Sequence, residues 1–225
     1  MKLIYFPIRG LIEPARLLLE LAGARYELET IPIELWQGPQ GKQRFLPITP
    51  FGQLPVLEDG AFVLCQSQAI GRYVARKLGL HGGTLEEAAR IDEVTEVANE
   101  VLRDLGVTCF DPRFHEIRAA HRAAMGQKLD LLERYFARTA ASAEHWALPG
   151  RYTLADATMA FALESLWPVQ PGLLDEFPKL RHAMTSFFAA EGVRGYVRGE
   201  RRFRTWTAPS ATFGGRPEET YHWSD

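Results

Sequence analysis

The chain has 225 residues, a formal net charge of −2, 46% hydrophobic and 24% charged residues, and two cysteines. That balance describes a globular chain with room for one large or two small domains, and it gives no general attraction to nucleic acid or anionic membranes. No window approaches twenty apolar residues, the short apolar stretch before Arg9 is too brief for a signal peptide, and Cys65 and Cys109 form no C-x-x-C pair, so a cytoplasmic protein without a membrane span is expected.

The opening segment, Leu3-Ile-Tyr-Phe-Pro-Ile-Arg-Gly10, reads as a strand over residues 2–7 that presents a phenol, Tyr5, where it runs into a loop. Pro14-Ala-Arg-Leu-Leu-Leu-Glu-Leu-Ala-Gly23 predicts a helix with proline in its first turn and a glycine stop. Tyr26, Leu28, Ile31 and Ile33 predict a second strand and so a β-α-β unit. Residues 34–53 are rich in Gly, Pro and Gln and predict a long loop, a length usually tied to function. Gly52-Gln-Leu-Pro-Val-Leu57 puts Pro55 at the start of an apolar run, where it can begin an edge strand but cannot sit inside a central one. Residues 56–64 read as two strands joined at Asp59-Gly60, a strong hairpin signal. Gln66-Ser-Gln-Ala-Ile70 places polar donors at the mouth of a helix over about 67–78, a ready anion site. A phenol, an open strand edge and a helix N-terminus suit a small anionic thiol peptide.

Leu80-His-Gly-Gly-Thr84 is a glycine-bearing connector, after which every periodic segment is helical. Ile91, Val94, Ala98, Val101 and Leu105 follow the spacing of a buried helical stripe, as do Met125, Leu129, Leu132 and Phe136. Thr153-Leu-Ala-Asp156 has a capping-box pattern and opens a helix over 157–167. Arg194, Arg198, Arg201, Arg202 and Arg204 form a basic stretch that reads as a solvated helix face. Trp206, Phe213, Tyr221 and Trp223 predict a tail laid back over the protein. The expected organisation is a thioredoxin-like domain over 1–79, a linker over 80–85, an all-helical domain over 86–200 and an aromatic tail over 201–225.

The three N-terminal segments, in that order, with Asp59-Gly60 and a helical remainder, closely resemble the cytosolic glutathione transferases, nearest to the tyrosine-using pi and sigma classes. The resemblance covers about residues 1–200. It implies a thioredoxin-like β-α-β-β-α domain followed by an all-helical one, with glutathione as co-substrate. By that likeness Tyr5 is the catalytic residue. A free thiol with a pKa near ~8.5 is only a few per cent thiolate at pH 7, and lowering it by roughly 2 units takes about 2.7 kcal/mol. A hydroxyl that donates a hydrogen bond to sulfur supplies such a preference. Taken alone, Tyr5 reads as a packed strand residue.

The resemblance also implies that Gln53, Leu54 and a cis Pro55 pair with the peptide like an added strand. Gln66 and Ser67 would take the γ-glutamyl carboxylate, and Trp36 and Lys42 the glycyl carboxylate. Glu100 resembles an acidic residue given by a partner subunit. Phe6, Ile8, Leu11 and Phe110 would line a second-substrate pocket, with Leu11 standing where pi and sigma relatives usually carry arginine. Phe51 stands where pi-class relatives carry an aromatic key into the partner subunit, which implies a homodimer. The expected activity is attack of the glutathione thiolate on a small apolar electrophile. A sigma-type glutathione-dependent isomerase and a non-catalytic crystallin-like relative are the alternatives.

Other chemistries lack residues to carry them. Six histidines are scattered with no H-E-x-x-H or Cys/His cluster, so no metal is expected. No G-x-S-x-G or P-loop pattern occurs, and no cysteine lies at the turn after the first strand, where a thiol-disulfide enzyme needs one.

Overall fold

The computed structural model describes residues 1–139 and 144–224, so residues 140–143 and the last tail residue, Asp225, lie outside the description. The chain begins with strand β1 (Lys2–Tyr5), helix α1 (Glu13–Leu21) and strand β2 (Glu27–Thr30), the predicted β-α-β unit. Pro14 sits in the first turn of α1, where its missing N–H costs nothing. β1 pairs parallel with β2, Leu3 facing Leu28, and antiparallel with β3 (Val56–Asp59), Leu3 facing Leu57. β3 and β4 (Phe62–Cys65) form the hairpin, with Asp59 opposite Phe62 and Gly60 and Ala61 as the two loop residues. Helix α4 (Ser67–Lys77) follows directly.

The sheet order β2-β1-β3-β4 corrects one expectation. β3 is an internal strand, and Pro55 is tolerated because it lies one residue before the first ladder pair, Ile4 with Val56. The open edges belong to β2 and β4. The predicted loop also holds two short helices, α2 (Ile33–Gln37), which takes Ile33 from the expected second strand, and α3 (Gly41–Phe45), both concealed by a composition rich in Gly, Pro and Gln.

Strand periodicity sorts the core into two faces. Leu3, Tyr5 and Leu57 join the main core, whereas Ile4, Val56 and Cys65 pack under Trp36, Phe45 and Ile48. The main core continues into five further helices: α5 (Leu85–Phe110), α6 (Phe114–Thr139), α7 (Leu154–Val169), α8 (Pro178–Ala189) and α9 (Glu191–Arg198). The apolar stripes on α5 and α6 are buried as their spacing predicts. Thr84 caps α5 by accepting from Glu87 N–H at 3.2 Å. At the start of α7 the Asp156 carboxylate accepts from the Thr153 N–H and hydroxyl at 2.8 and 2.7 Å, and from Trp146 N–H at 2.8 Å. α7 is buried at every residue from 154 to 166 and packs on α5, α8 and α1, tying the two halves together.

The tail does fold back. Phe213 stacks on Phe114 with centroids 4.8 Å apart, Tyr221 on Trp167 at 4.5 Å, and Trp223 packs on Phe188 at 4.9 Å. The basic stretch is only partly a solvated face, because Arg202 is buried among acids. Both cysteines are buried and unpaired, and burial pushes the Cys109 thiol up to about 12.

Candidate functional site

A cleft of about 370 Å³ opens where the three N-terminal segments meet, a size usual for small-molecule sites. Phe6, Leu11, Trp36, Lys42, Gln53, Leu54, Pro55, Gln66 and Ser67 all line it, together with Gly52. The Leu54–Pro55 bond is cis. Trp36 is held edge-on to Phe6 and stacked on Phe45, at 5.6 and 5.7 Å. Lys42, on α3, lies across Gly52 and has no ion-pair partner among the described residues. Gln66 Nε2 donates to Gln53 Oε1 at 3.1 Å, joining two segments that the sequence keeps apart.

The start of α4 is built for an anion. Gln66 is the N-cap, with φ +73° and ψ 115°, and Ser67 is the first helical residue. Gln66 is the one non-glycine residue with positive φ among the described residues, a conformation that costs on the order of 1–3 kcal/mol and is concentrated at functional sites. No side chain caps the helix, and the first backbone bond is from Ile70 N–H to Gln66 O, so the N–H groups of Ser67, Gln68 and Ala69 are left for a ligand. These residues also line an adjoining cleft of about 610 Å³ that reaches Thr95, Asn99 and Arg103 on α5. Asn99 Nδ2 is buried there without a hydrogen-bond partner.

Tyr5 is not a wall of the cleft but lies directly beneath one. It is 5% exposed, and its Oη accepts the backbone N–H of Leu11 at 3.3 Å. No protein acceptor among the described residues takes the Tyr5 proton, so it is available to a ligand atom. Burial raises the phenol's pKa, partly countered by the Leu11 N–H and the nearby Arg16 charge, so the hydroxyl stays protonated at neutral pH. Gly10 makes this geometry possible. It has φ +52°, and a Cβ there would stand 2.6 Å from Tyr5 Cε1 and 2.7 Å from its oxygen.

Neither Ile8 nor Phe110 is among the residues lining the two clefts. The Ile8 side chain turns into the main core, and Phe110 ends α5, about half exposed. Glu100 is exposed on α5 and pairs with Lys128 at 3.6 Å; its neighbour Asn99 is the residue that faces the cleft. Phe51 is 68% exposed.

Sequence reasoning missed a buried charge cluster that includes Arg16, a neighbour of Tyr5. Arg9, Arg16 and Arg202 are buried with Glu13 and Glu164. Arg202 bridges the acids, reaching Glu13 Oε1 at 2.7 Å and the two Glu164 oxygens at 2.8 and 2.7 Å. Burial alone would push the Glu13 carboxyl up, but the charges of Arg202, Arg16 and Arg9 hold it below the ordinary range. Arg16 donates to Glu13 at 3.0 Å and lies 6.0 Å from the Tyr5 ring centre.

Residues 1–76 match the family model described as the glutathione S-transferase N-terminal domain, and residues 99–191 that of the C-terminal domain. The chain is 30% identical over 221 residues to a class-mu 26 kDa glutathione S-transferase isozyme of Fasciola hepatica, covering 95% of this chain and 96% of that one. It is 29% identical over 201 residues to human glutathione S-transferase Mu 1, covering 88% and 90%. Among solved structures it is similar to the glutathione S-transferase from Ascaris lumbricoides (TM-score 0.75, 28% identity, covering 87% of this chain and 95% of that one). It is also similar to the pi-class enzyme of Onchocerca volvulus (TM-score 0.77, 26% identity, covering 87% and 90%).

Proposed function

The chain belongs to the glutathione S-transferase family, and from that premise we propose that it joins glutathione to a small apolar electrophile with Tyr5 as the catalytic hydrogen-bond donor. The observation that carries this is the Tyr5 hydroxyl itself, protonated, pinned by Leu11 N–H and left with its own proton to give. A hydrogen bond from that hydroxyl favours the charged form of a sulfur placed above it, and burial strengthens the effect. The α4 N–H groups with Gln66 suit one carboxylate of glutathione, and Lys42 with the Trp36 indole suits the other. Leu54 offers backbone groups just ahead of β3 for strand-like pairing. Phe6 and Leu11 supply an apolar wall for the second substrate, and Leu11 in place of arginine leaves the Tyr5 hydroxyl and the buried arginines as the polar influences on sulfur.

The subclass is left at family level, because the mu-class relatives in sequence and the pi-class neighbour in structure point in different directions. A twofold homodimer and a cytoplasmic location belong to the proposal. The exposed Phe51 supports the first and the two unpaired cysteines the second.

Tyr5→Phe tests the assignment. Conjugation of an aryl halide at neutral pH is expected to fall at least about tenfold while glutathione affinity changes less than about twofold, because only a bond to the thiolate is lost. Wild-type turnover by the mutant would overturn the role of Tyr5. Absence of turnover in the wild type, with glutathione bound, would favour the non-catalytic alternative.

A further inference from the structure

We infer that the C-terminal tail, gripped by Arg9, positions the Tyr5 hydroxyl and is therefore a working part of the catalytic centre. The inference rests on the reading of Tyr5 as the donor to sulfur. It comes from the hydrogen bonds of residues 8–11, between β1 and α1, where backbone polar groups need partners. Ile8 N–H donates to Phe6 O at 2.8 Å, and Arg16 donates to the carbonyls of Ile8 and Arg9 at 3.0 and 3.2 Å. Arg9 N–H and Gly10 N–H donate to the tail carbonyls of Thr205 and Trp206 at 2.8 and 2.9 Å. The next N–H, that of Leu11, holds the Tyr5 oxygen. Two of these four N–H groups therefore depend on residues nearly two hundred positions away.

The Arg9 side chain fastens the tail at two places. Nε donates to Phe203 O at 2.9 Å, Nη1 to Tyr221 O at 2.9 Å and to Glu164 at 3.4 Å, and Nη2 lies 3.3 Å from His222 Nδ1. His222 Nε2 lies 2.9 Å from Pro217 O, so both His222 contacts are made when the imidazole is neutral with its proton on Nε2. Glu164, on α7, accepts from Arg202 and Trp223 of the same tail. Aromatic stacking alone would hold the tail to α6, α7 and α8. It does not account for two tail carbonyls that accept from the loop's N–H groups. Because the Tyr5 ring lies against Gly10 with no space for a Cβ, a displacement of Gly10 passes directly to the phenol.

The test uses full-length Arg9→Lys and Gly214→Ala, each alone and combined with Tyr5→Phe. Lysine keeps the charge of Arg9 but cannot serve Phe203, Tyr221 and His222 at once. Gly214 touches neither the loop nor the buried charges. It has φ +86°, and a Cβ there would stand 2.2 Å from Trp206 Nε1, so alanine must displace the residue whose carbonyl holds Gly10. The readout is the pH midpoint of the thiolate absorbance of bound glutathione, with affinity from calorimetry and fold from circular dichroism. Each variant is expected to raise the midpoint by about half a unit or more, roughly threefold less thiolate near neutrality, with affinity within about twofold. Added to Tyr5→Phe, neither should raise it further.

A folded variant with an unmoved midpoint overturns the inference, as does a shift of equal size in both backgrounds. A Tyr5→Phe midpoint identical to wild type removes the Tyr5 reading itself, and this inference with it. Gly214→Ala leaves the charges paired and carries the test if Arg9→Lys does not fold.

Discussion

Replacing Glu164 by glutamine takes one charge from a cluster that water does not reach. Glu13, Glu164, Arg9, Arg16 and Arg202 are each at most 5% exposed, so three guanidinium groups face only two carboxylates. Glu164 accepts from Arg202 through both oxygens at 2.8 and 2.7 Å, from Arg9 at 3.4 Å and from the Trp223 indole. Glutamine keeps one acceptor oxygen but turns an NH2 group toward a guanidinium, leaving an excess of two buried positive charges. Removing one partner of a buried ion pair costs about 3–5 kcal/mol. For a chain of this length each kcal/mol lowers Tm by roughly 2–4 °C, so a fall of about 6–20 °C is expected.

Thermal melts by circular dichroism at low and high salt provide the assay. The loss should be nearly independent of salt, because a buried pair is poorly screened. Glu176→Gln is the control: its pair with Arg122 is 2.8 Å long, with side chains 59% and 37% exposed, and such pairs contribute under about 1 kcal/mol. If Glu164→Gln melts within about 2 °C of wild type, a loss of under about 1 kcal/mol at this chain length, or no lower than Glu176→Gln, the cluster is not holding the fold and the reasoning fails.

Two further expectations concern acid and association. The Glu13 carboxyl titrates below the ordinary range in the folded state, so the stability it supplies is present above the unfolded value of about 4.3 and is lost as pH falls through the folded value. Melting temperature should therefore drop on the acid side, and Glu13→Gln should flatten that limb; an identical acid limb in the mutant would refute the assignment. Phe51→Ala should weaken dimer association by about 2–4 kcal/mol, read by sedimentation at micromolar protein, and a wild type that sediments as a monomer would remove the dimer from the proposal.

What was legible in the sequence follows from how local each signal is. The apolar opening segment marked β1, the three-and-four spacing marked the buried stripes of α5 and α6, and Thr153 with Asp156 marked the start of α7. Most of the first cleft was legible too, because its donors lie within a few residues of the strand ends and the helix start that present them. The left-handed φ of Gln66 was not, since glutamine has no preference for it. The surroundings of Ile8 and Phe110 were not legible for a related reason. Being apolar says that a side chain is covered, not whether a core or a ligand covers it.

Arg202 shows where local reading ends. It sits in Arg-Gly-Glu-Arg-Arg-Phe-Arg, and nothing in that run separates it from the exposed Arg201 beside it. Its burial is decided by Glu13, 189 residues earlier, and Glu164, 38 residues earlier. Those two acids in turn are tolerable inside the protein because three arginines arrive there, Arg9 from the loop beside Tyr5, Arg16 from α1 and Arg202 from the tail. The tail, the central helix and the loop after β1 thus form one electrostatic unit. None of its members is interpretable alone, and a substitution at any of them is expected to be felt at the other two.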